Sequence, residues 1–227
     1  GAFYGFDEIY GAERLAYRGP QFGWWGLSDQ FALARLDEQV LGEGNRAPAF
    51  VFFPTVSTHT PFVPAPPYQS DWSRMLTDQP YDAAEVDRAF EQQPDWLDLA
   101  PSYLDAVSYS LTTIAGYLEQ RPTRDLVLIV IGDHQPPALV AGEGQPWDVP
   151  VHVITSRPGV LDRLQARGFR EFRDLKQSHA GSGSGVVAQL EAKGGEAVAR
   201  RFVAIAQYVA QRLDHVSKDT DLSRFIL

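Results

Sequence analysis

Gly132-Asp133-His134 sets a carboxylate beside an imidazole directly after an apolar run that ends at Ile131. A hard oxygen and a borderline nitrogen at adjacent positions can reach one divalent cation. Such a cation activates a hydroxyl nucleophile and screens a tetrahedral anion. The plainer reading is a turn in which Asp133 caps the loop and His134 packs beneath it. A second stretch, Pro54-Thr55-Val56-Ser57-Thr58-His59-Thr60-Pro61-Phe62, also leaves the end of an apolar run. A histidine there can hydrogen-bond an anionic oxygen or a leaving group. The plainer reading is a loop side chain facing solvent. His152 falls inside a strand-like run and reads as a core or sheet-face residue, and His179 and His215 fall in a linker and a terminal helix.

These residues can cooperate only if the elements before them end at one place. Residues 49–54 and 125–131 are short continuous apolar runs, as expected of buried parallel strands, and residues 149–154 read as a third strand. Between the first two, residues 101–120 read as a helix with Leu104, Val107, Leu111, Ile114 and Leu118 as its apolar face. Strand, helix, strand is the right-handed crossover of a parallel sheet. The expected fold is therefore α/β, with a mainly parallel sheet and crossover helices. Ligands bind at the carboxyl edge of such sheets, which would bring His59, Asp133 and His134 to one edge.

Around this frame, residues 1–26 read as an irregular aromatic segment, and Ser28 as the N-cap of a helix reaching about residue 41. Phe31, Leu33, Ala34, Leu36 and Val40 form its apolar face, and Gly42 and Gly44 stop it. Residues 61–80, dense in proline, form a long loop expected to be functional or surface-wrapping. Residues 160–166 form a short helix closed by Gly168. Residues 180–185 are a Gly/Ser linker, and residues 196–216 read as an amphipathic helix. The expected organisation is a domain over 1–179, the linker, and a helical tail over 186–227.

The formal net charge of −9, with no basic run, argues against nucleic acid as a partner. The absence of cysteine removes disulfides, thiolate catalysis and Cys-based zinc sites. No run of eighteen apolar residues occurs, so no segment reads as membrane-spanning. A start at Gly1 without a signal peptide reads as a processed or truncated end.

Four segments together resemble the sulfatase-like branch of the alkaline phosphatase superfamily that includes lipoteichoic acid synthases and phosphoethanolamine transferases. They are Phe22-Gly23-Trp24-Trp25-Gly26-Leu27-Ser28-Asp29-Gln30, the His59 stretch, Val130-Ile131-Gly132-Asp133-His134-Gln135-Pro136, and residues 147–154. Their order and spacing match over roughly residues 1–170. The resemblance implies an alkaline-phosphatase-like fold with Asp133 and His134 as metal ligands. The metal would be Mn, Mg or Zn, bound weakly by this chain. His59 would contact the transferred group or its leaving oxygen. It also implies a phosphate- or sulfate-ester substrate, lipid-linked or glycan, on the extracytoplasmic (periplasmic) face of a bacterial membrane, with a membrane anchor upstream of Gly1.

The family's nucleophile is a Thr, or a modified Cys or Ser, after an earlier strand, and residues 1–21 contain no Ser or Thr. The chain therefore reads as the C-terminal half of such an enzyme, an incomplete fold that is inactive alone. Residues 208–227 resemble the extreme C-terminus of the ATPase subunit of the bacterial two-component, proteasome-like protease, where that peptide docks into a protein partner. The alternative is a non-catalytic binding module with a C-terminal docking tail.

Overall fold

A computed structural model describes residues 5–42, 48–120, 125–144, 147–155, 157–167, 170–171 and 203–204. The chain forms two compact units, Gly1–Arg121 and Pro122–Leu227. The expected boundary near residue 180 and its linker lie outside the described residues.

The first unit is helical. It contains α1 (Ala12–Leu15), α2 (Asp29–Leu36), a π-helical turn (Asp37–Leu41), a 3-10 turn (Trp72–Leu76), α3 (Ala83–Phe90) and α4 (Ala100–Gln120). Ser28 caps α2 as its sequence position predicts. It is extended, and its Oγ accepts the Phe31 N–H at 3.2 Å. The helix then widens into the π turn and stops at Gly42. The helix α3 forms in a stretch for which no helix was expected.

Against α2, α4 buries a face other than the expected one. Ala106, Tyr109, Ser110, Thr113, Gly116 and Tyr117 are buried, while Leu104, Val107, Leu111, Ile114 and Leu118 are half-buried. The buried positions also recur at steps of three and four, so periodicity alone does not choose between the faces. Polar pairing decides it. The Gln30 N–H donates to Tyr109 Oη at 3.3 Å, and Tyr117 Oη donates to Asp37 Oδ1 at 3.0 Å. Small residues between the tyrosines permit the close approach. Phe22, Phe31, Phe62, Met75 and Leu99 complete the core.

Residues 49–54 form no strand, which corrects the first sequence expectation of the sheet. Phe50 is 83% and Phe52 71% exposed. An apolar run becomes a strand only where a neighbour accepts its backbone hydrogen bonds, and no described residue does so here.

The second unit contains β1 (Val127–Ile131), α5 (Ala138–Ala141), β2 (Val151–Thr155), α6 (Pro158–Gln165), β3 (Arg170–Glu171) and β4 (Val203–Ala204). The strand order is β1-β2-β4-β3, with every described pair antiparallel. This corrects the expectation of a mainly parallel sheet for these strands. Parallel pairing needs a crossover, usually a helix, between the strands. Among its described residues, the segment from Gly132 to Pro150 carries the four-residue α5 and no longer helix, and it begins and ends at the same edge. Ile131 stands opposite Val151, and the Gly132 N–H donates to the Pro150 carbonyl at 3.1 Å, extending the ladder one step. At the other end Thr155 Oγ1 donates to the Leu126 carbonyl at 2.9 Å, and Arg157 pairs with Asp125.

The two strands differ in burial. Val151, Val153 and Ile154 of β2 are buried, while β1 is the last strand of the described sheet and leaves Ile129 59% exposed. Of the expected C-terminal helix over 196–216, only Val203–Ala204 is described. It pairs with β2 as a strand instead, with Val203 opposite Val153. The rest of the tail lies outside the described residues. Among the described residues, no helix is long and apolar enough to cross a membrane.

Gly116 gives a direct test of the α4 packing. A Cβ there would lie 2.0 Å from Tyr68 Oη and 3.0 Å from Trp72 Nε1, two atoms already joined by a hydrogen bond of 3.2 Å. Overpacking of this kind costs about 1–3 kcal/mol, against a helix-propensity gain of about 1 kcal/mol. We expect Gly116→Ala to lower stability in urea titration despite the better helix former.

Candidate functional site

His59 is held by a loop whose backbone is fastened from below. Its N–H donates to the Val56 carbonyl at 3.1 Å, and its own carbonyl accepts the Phe62 N–H at 2.9 Å. Phe62 has a left-handed backbone, φ 71°, which is costly for a residue with a Cβ. Its ring is buried against Tyr103, centroids 5.2 Å apart, which holds that conformation in place.

Beneath the loop lies Asp29, in the first turn of α2. Its Oδ1 accepts the Val56 N–H at 2.8 Å, and its Oδ2 accepts the Ser57 N–H at 3.2 Å and Ser110 Oγ at 3.5 Å. Burial pushes the Asp29 carboxyl above the usual carboxylate range, and the hydrogen bonds from Val56, Ser57 and Ser110 oppose that shift.

A wider network fixes the same helix start. Tyr81 Oη donates to Ser28 Oγ at 2.6 Å, and burial pushes the Tyr81 phenol up to about 12. Gln30 and Gln69 bond reciprocally, Gln30 Nε2 to the Gln69 carbonyl at 2.6 Å and the Gln69 N–H to Gln30 Oε1 at 3.0 Å. Sequence reasoning gave Asp29 no role. The available signal was a carboxylate directly after a helix cap, within a segment otherwise made of aromatic and small residues.

The imidazole of His59 is exposed and stacks on Trp24, with centroids 4.8 Å apart and planes 25° apart. Its Nδ1 lies 2.7 Å from the Thr60 carbonyl. A carbonyl can only accept, so Nδ1 carries the proton and Nε2 is left to exchange one.

Asp133 and His134 stand just past β1, as the sequence predicts, and both are exposed. Asp133 Oδ1 accepts the His134 N–H at 2.9 Å, so the carboxylate does cap its own turn. The ring does not pack beneath it. His134 Nδ1 lies 2.7 Å from the Gln135 carbonyl, which again places the proton on Nδ1. Its Nε2 then faces Asp133 Oδ2 at 3.5 Å. A carboxylate oxygen and an imidazole nitrogen at this separation can both turn lone pairs to one cation. Two ligands about 2.1 Å from a tetrahedral ion stand about 3.4 Å apart, so this donor pair fits one corner of a metal site. A histidine ligand with its second nitrogen bonded to a carbonyl also follows the usual second-shell pattern.

Among the described residues no group of three or more His, Asp or Glu gathers to complete such a site. His59 belongs to the first unit, and Asp133 and His134 to the second. His152 sits in β2, where burial lowers its pKa. His179 and His215 lie outside the described residues. A cleft of about 170 Å³ lined by Tyr17, Phe31, Arg35 and Leu76 includes none of the candidate residues.

The family model described as Sulfatase matches residues 2–153, which take in every candidate residue. No curated protein and no solved structure matches the chain.

Two outcomes follow from this geometry. In Asp29→Asn a side-chain amide replaces one acceptor oxygen and leaves a half-buried N–H of Val56 or Ser57 without its partner. That costs about 1–3 kcal/mol, to be read from denaturant midpoints. His152 gives a pH test. Its folded pKa lies below the ordinary 6.5, so just below that pH the unfolded chain binds a proton that the folded chain excludes. Stability from this group is complete above about 6.5 and falls as pH falls toward the folded pKa. His152→Phe should flatten the acid limb of a stability–pH profile.

Proposed function

The chain belongs to the sulfatase family, and from that premise we propose that it carries part of the active site of a metal-dependent phospho- or sulfo-transferase or hydrolase. The family has an alkaline-phosphatase-like α/β fold, and its members generally use a divalent metal. The observation that carries the reading is the Asp133–His134 pair, a carboxylate oxygen and a bare imidazole nitrogen 3.5 Å apart at the end of β1. These two residues would hold the ion.

When bound, the ion supplies Lewis acidity to a hydroxyl nucleophile and to the oxygens of the transferred group. His59 has the complementary task. With Nδ1 committed to the Thr60 carbonyl, its Nε2 donates a hydrogen bond to an anionic or leaving oxygen when protonated and takes a proton when neutral. The stack on Trp24 and the Asp29-anchored loop limit how far that nitrogen strays.

The substrate class we propose is a lipid-linked or glycan phosphate or sulfate ester at the outer face of a bacterial membrane. We assign the hydroxyl nucleophile, the remaining ligands and a membrane anchor to sequence outside these residues. Ser57, Thr58 and Thr60 flank His59 and would meet the substrate from its own side, which makes them poor nucleophiles.

The test combines binding and turnover. The purified chain should bind Mn, Mg or Zn weakly by calorimetry, since two protein ligands leave most positions to water. His134→Ala should remove that binding. With p-nitrophenyl phosphate, p-nitrophenyl sulfate and a phosphoglycerol lipid, hydrolysis should stay far below an enzymatic rate. Chelator-resistant binding would reveal further ligands within the chain. Fast metal-dependent turnover abolished by His134→Ala would overturn the assignment of the nucleophile and direct attention to Thr58 and Thr60.

A further inference from the structure

The loop that brings Trp24 to His59 is built from an anchor and two glycines. Phe22 is buried, edge-on to Tyr81 at 5.2 Å and stacked with Phe90 at 5.5 Å. From that anchor the chain reverses. Phe22 bridges to Gly26, and the Gly26 N–H donates to the Phe22 carbonyl at 3.1 Å. Gly23 and Gly26 take φ values of 55° and 77°, a region that glycine enters without a Cβ penalty. The turn presents Trp24 and Trp25, each 62% exposed. Indole is a large apolar surface that folding ordinarily removes from water. Here a buried phenylalanine and two left-handed glycines hold it outside.

We infer that Trp24 is a stacking platform for the neutral, hydroxylated part of the substrate, a sugar or polyol, beside the oxygen that His59 meets. The inference rests on the function proposed above and names the non-reacting portion of that substrate. Its central observation is the stack of Trp24 on His59 at 4.8 Å and 25°. That contact fixes the height and tilt of the indole relative to the imidazole. A group lying on the indole is therefore held at a set distance from Nε2.

A sugar or glycerol chain has a C–H face whose polarised hydrogens suit the negative face of an aromatic ring, and hydroxyls that stay in water at its rim. An ammonium group is the other chemistry that stacks on indole. It is disfavoured here because a stacked ammonium also calls for a carboxylate to balance its charge. The carboxylate tied to this loop, Asp29, is buried beneath the Val56 and Ser57 amides and offers an ammonium no counter-charge.

The experiment uses the full chain and two separate probes. Methyl α-glucoside and glycerol, which carry no phosphate, are titrated by saturation-transfer NMR. Inorganic phosphate with Mg is followed by the His59 ring resonances. We expect transfer into the C–H protons of the glucoside, a Kd about tenfold weaker in Trp24→Ala, and near-native binding in Trp24→Phe, which keeps an aromatic face. Unchanged circular dichroism melts would show that Trp24→Ala removes the platform and not the fold. Glucoside binding that survives Trp24→Ala, or no glucoside binding while phosphate perturbs His59, overturns this inference and leaves the proposed function standing. Glucoside binding through Trp24 with no phosphate response supports the platform and counts against the proposed function. A response to neither probe overturns both.

Discussion

The Asp29 carboxylate is withdrawn from water and held by the amide hydrogens of Val56 and Ser57. A buried charge is costly unless it is hydrogen-bonded, and these donors offset that cost. The same bonds fix the backbone two and three residues before His59. Removing the carboxylate would unfasten the loop, and straightening the loop would strand the carboxylate. Each therefore holds the other in place. Ser28 adds to this, because a single hydroxyl both caps α2 and receives Tyr81. The start of α2 is where the helix, the His59 loop and the Tyr81 segment meet.

The two candidate histidines share a local design although they lie in different units. Each is followed by one residue and then a proline, His59-Thr60-Pro61 and His134-Gln135-Pro136. In both places the carbonyl of that residue lies 2.7 Å from Nδ1. In each case a backbone carbonyl decides which nitrogen holds the proton and leaves the other for chemistry. This is tautomer selection by backbone, and it needs no neighbouring side chain.

Much of this was legible in the sequence where the signal was local. The Ser28 cap, the helix over 101–120 and the runs that became β1 and β2 all appear as read, and Asp133 and His134 follow β1 as expected. The misreadings concern partners. An apolar run such as 49–54 says that a segment is greasy, not that another strand lies beside it. The direction of the β1–β2 pair was set by the connection, whose lack of a crossover helix could have been weighed. The buried face of α4 was hidden because its two tyrosines and Ser110 are satisfied by α2 and the π turn that continues it, which a hydrophobicity pattern does not score. Asp29 was missed for a related reason: its partners are backbone amides 27 and 28 residues away, which no spacing rule reveals.

The strand β1 has a consequence for handling the protein. It is Val127-Leu128-Ile129-Val130-Ile131, without charge, proline or glycine, at the end of the described sheet and with much of its surface in solvent. An uncharged apolar edge of this kind is a template on which a second extended chain can pair. Storage life would then be governed by concentration more than by melting temperature, since recruitment of one edge by another is a second-order event. A lysine at Ile129, whose side chain is already largely in solvent, would act as a gatekeeper there and leave the backbone ladder to β2 intact.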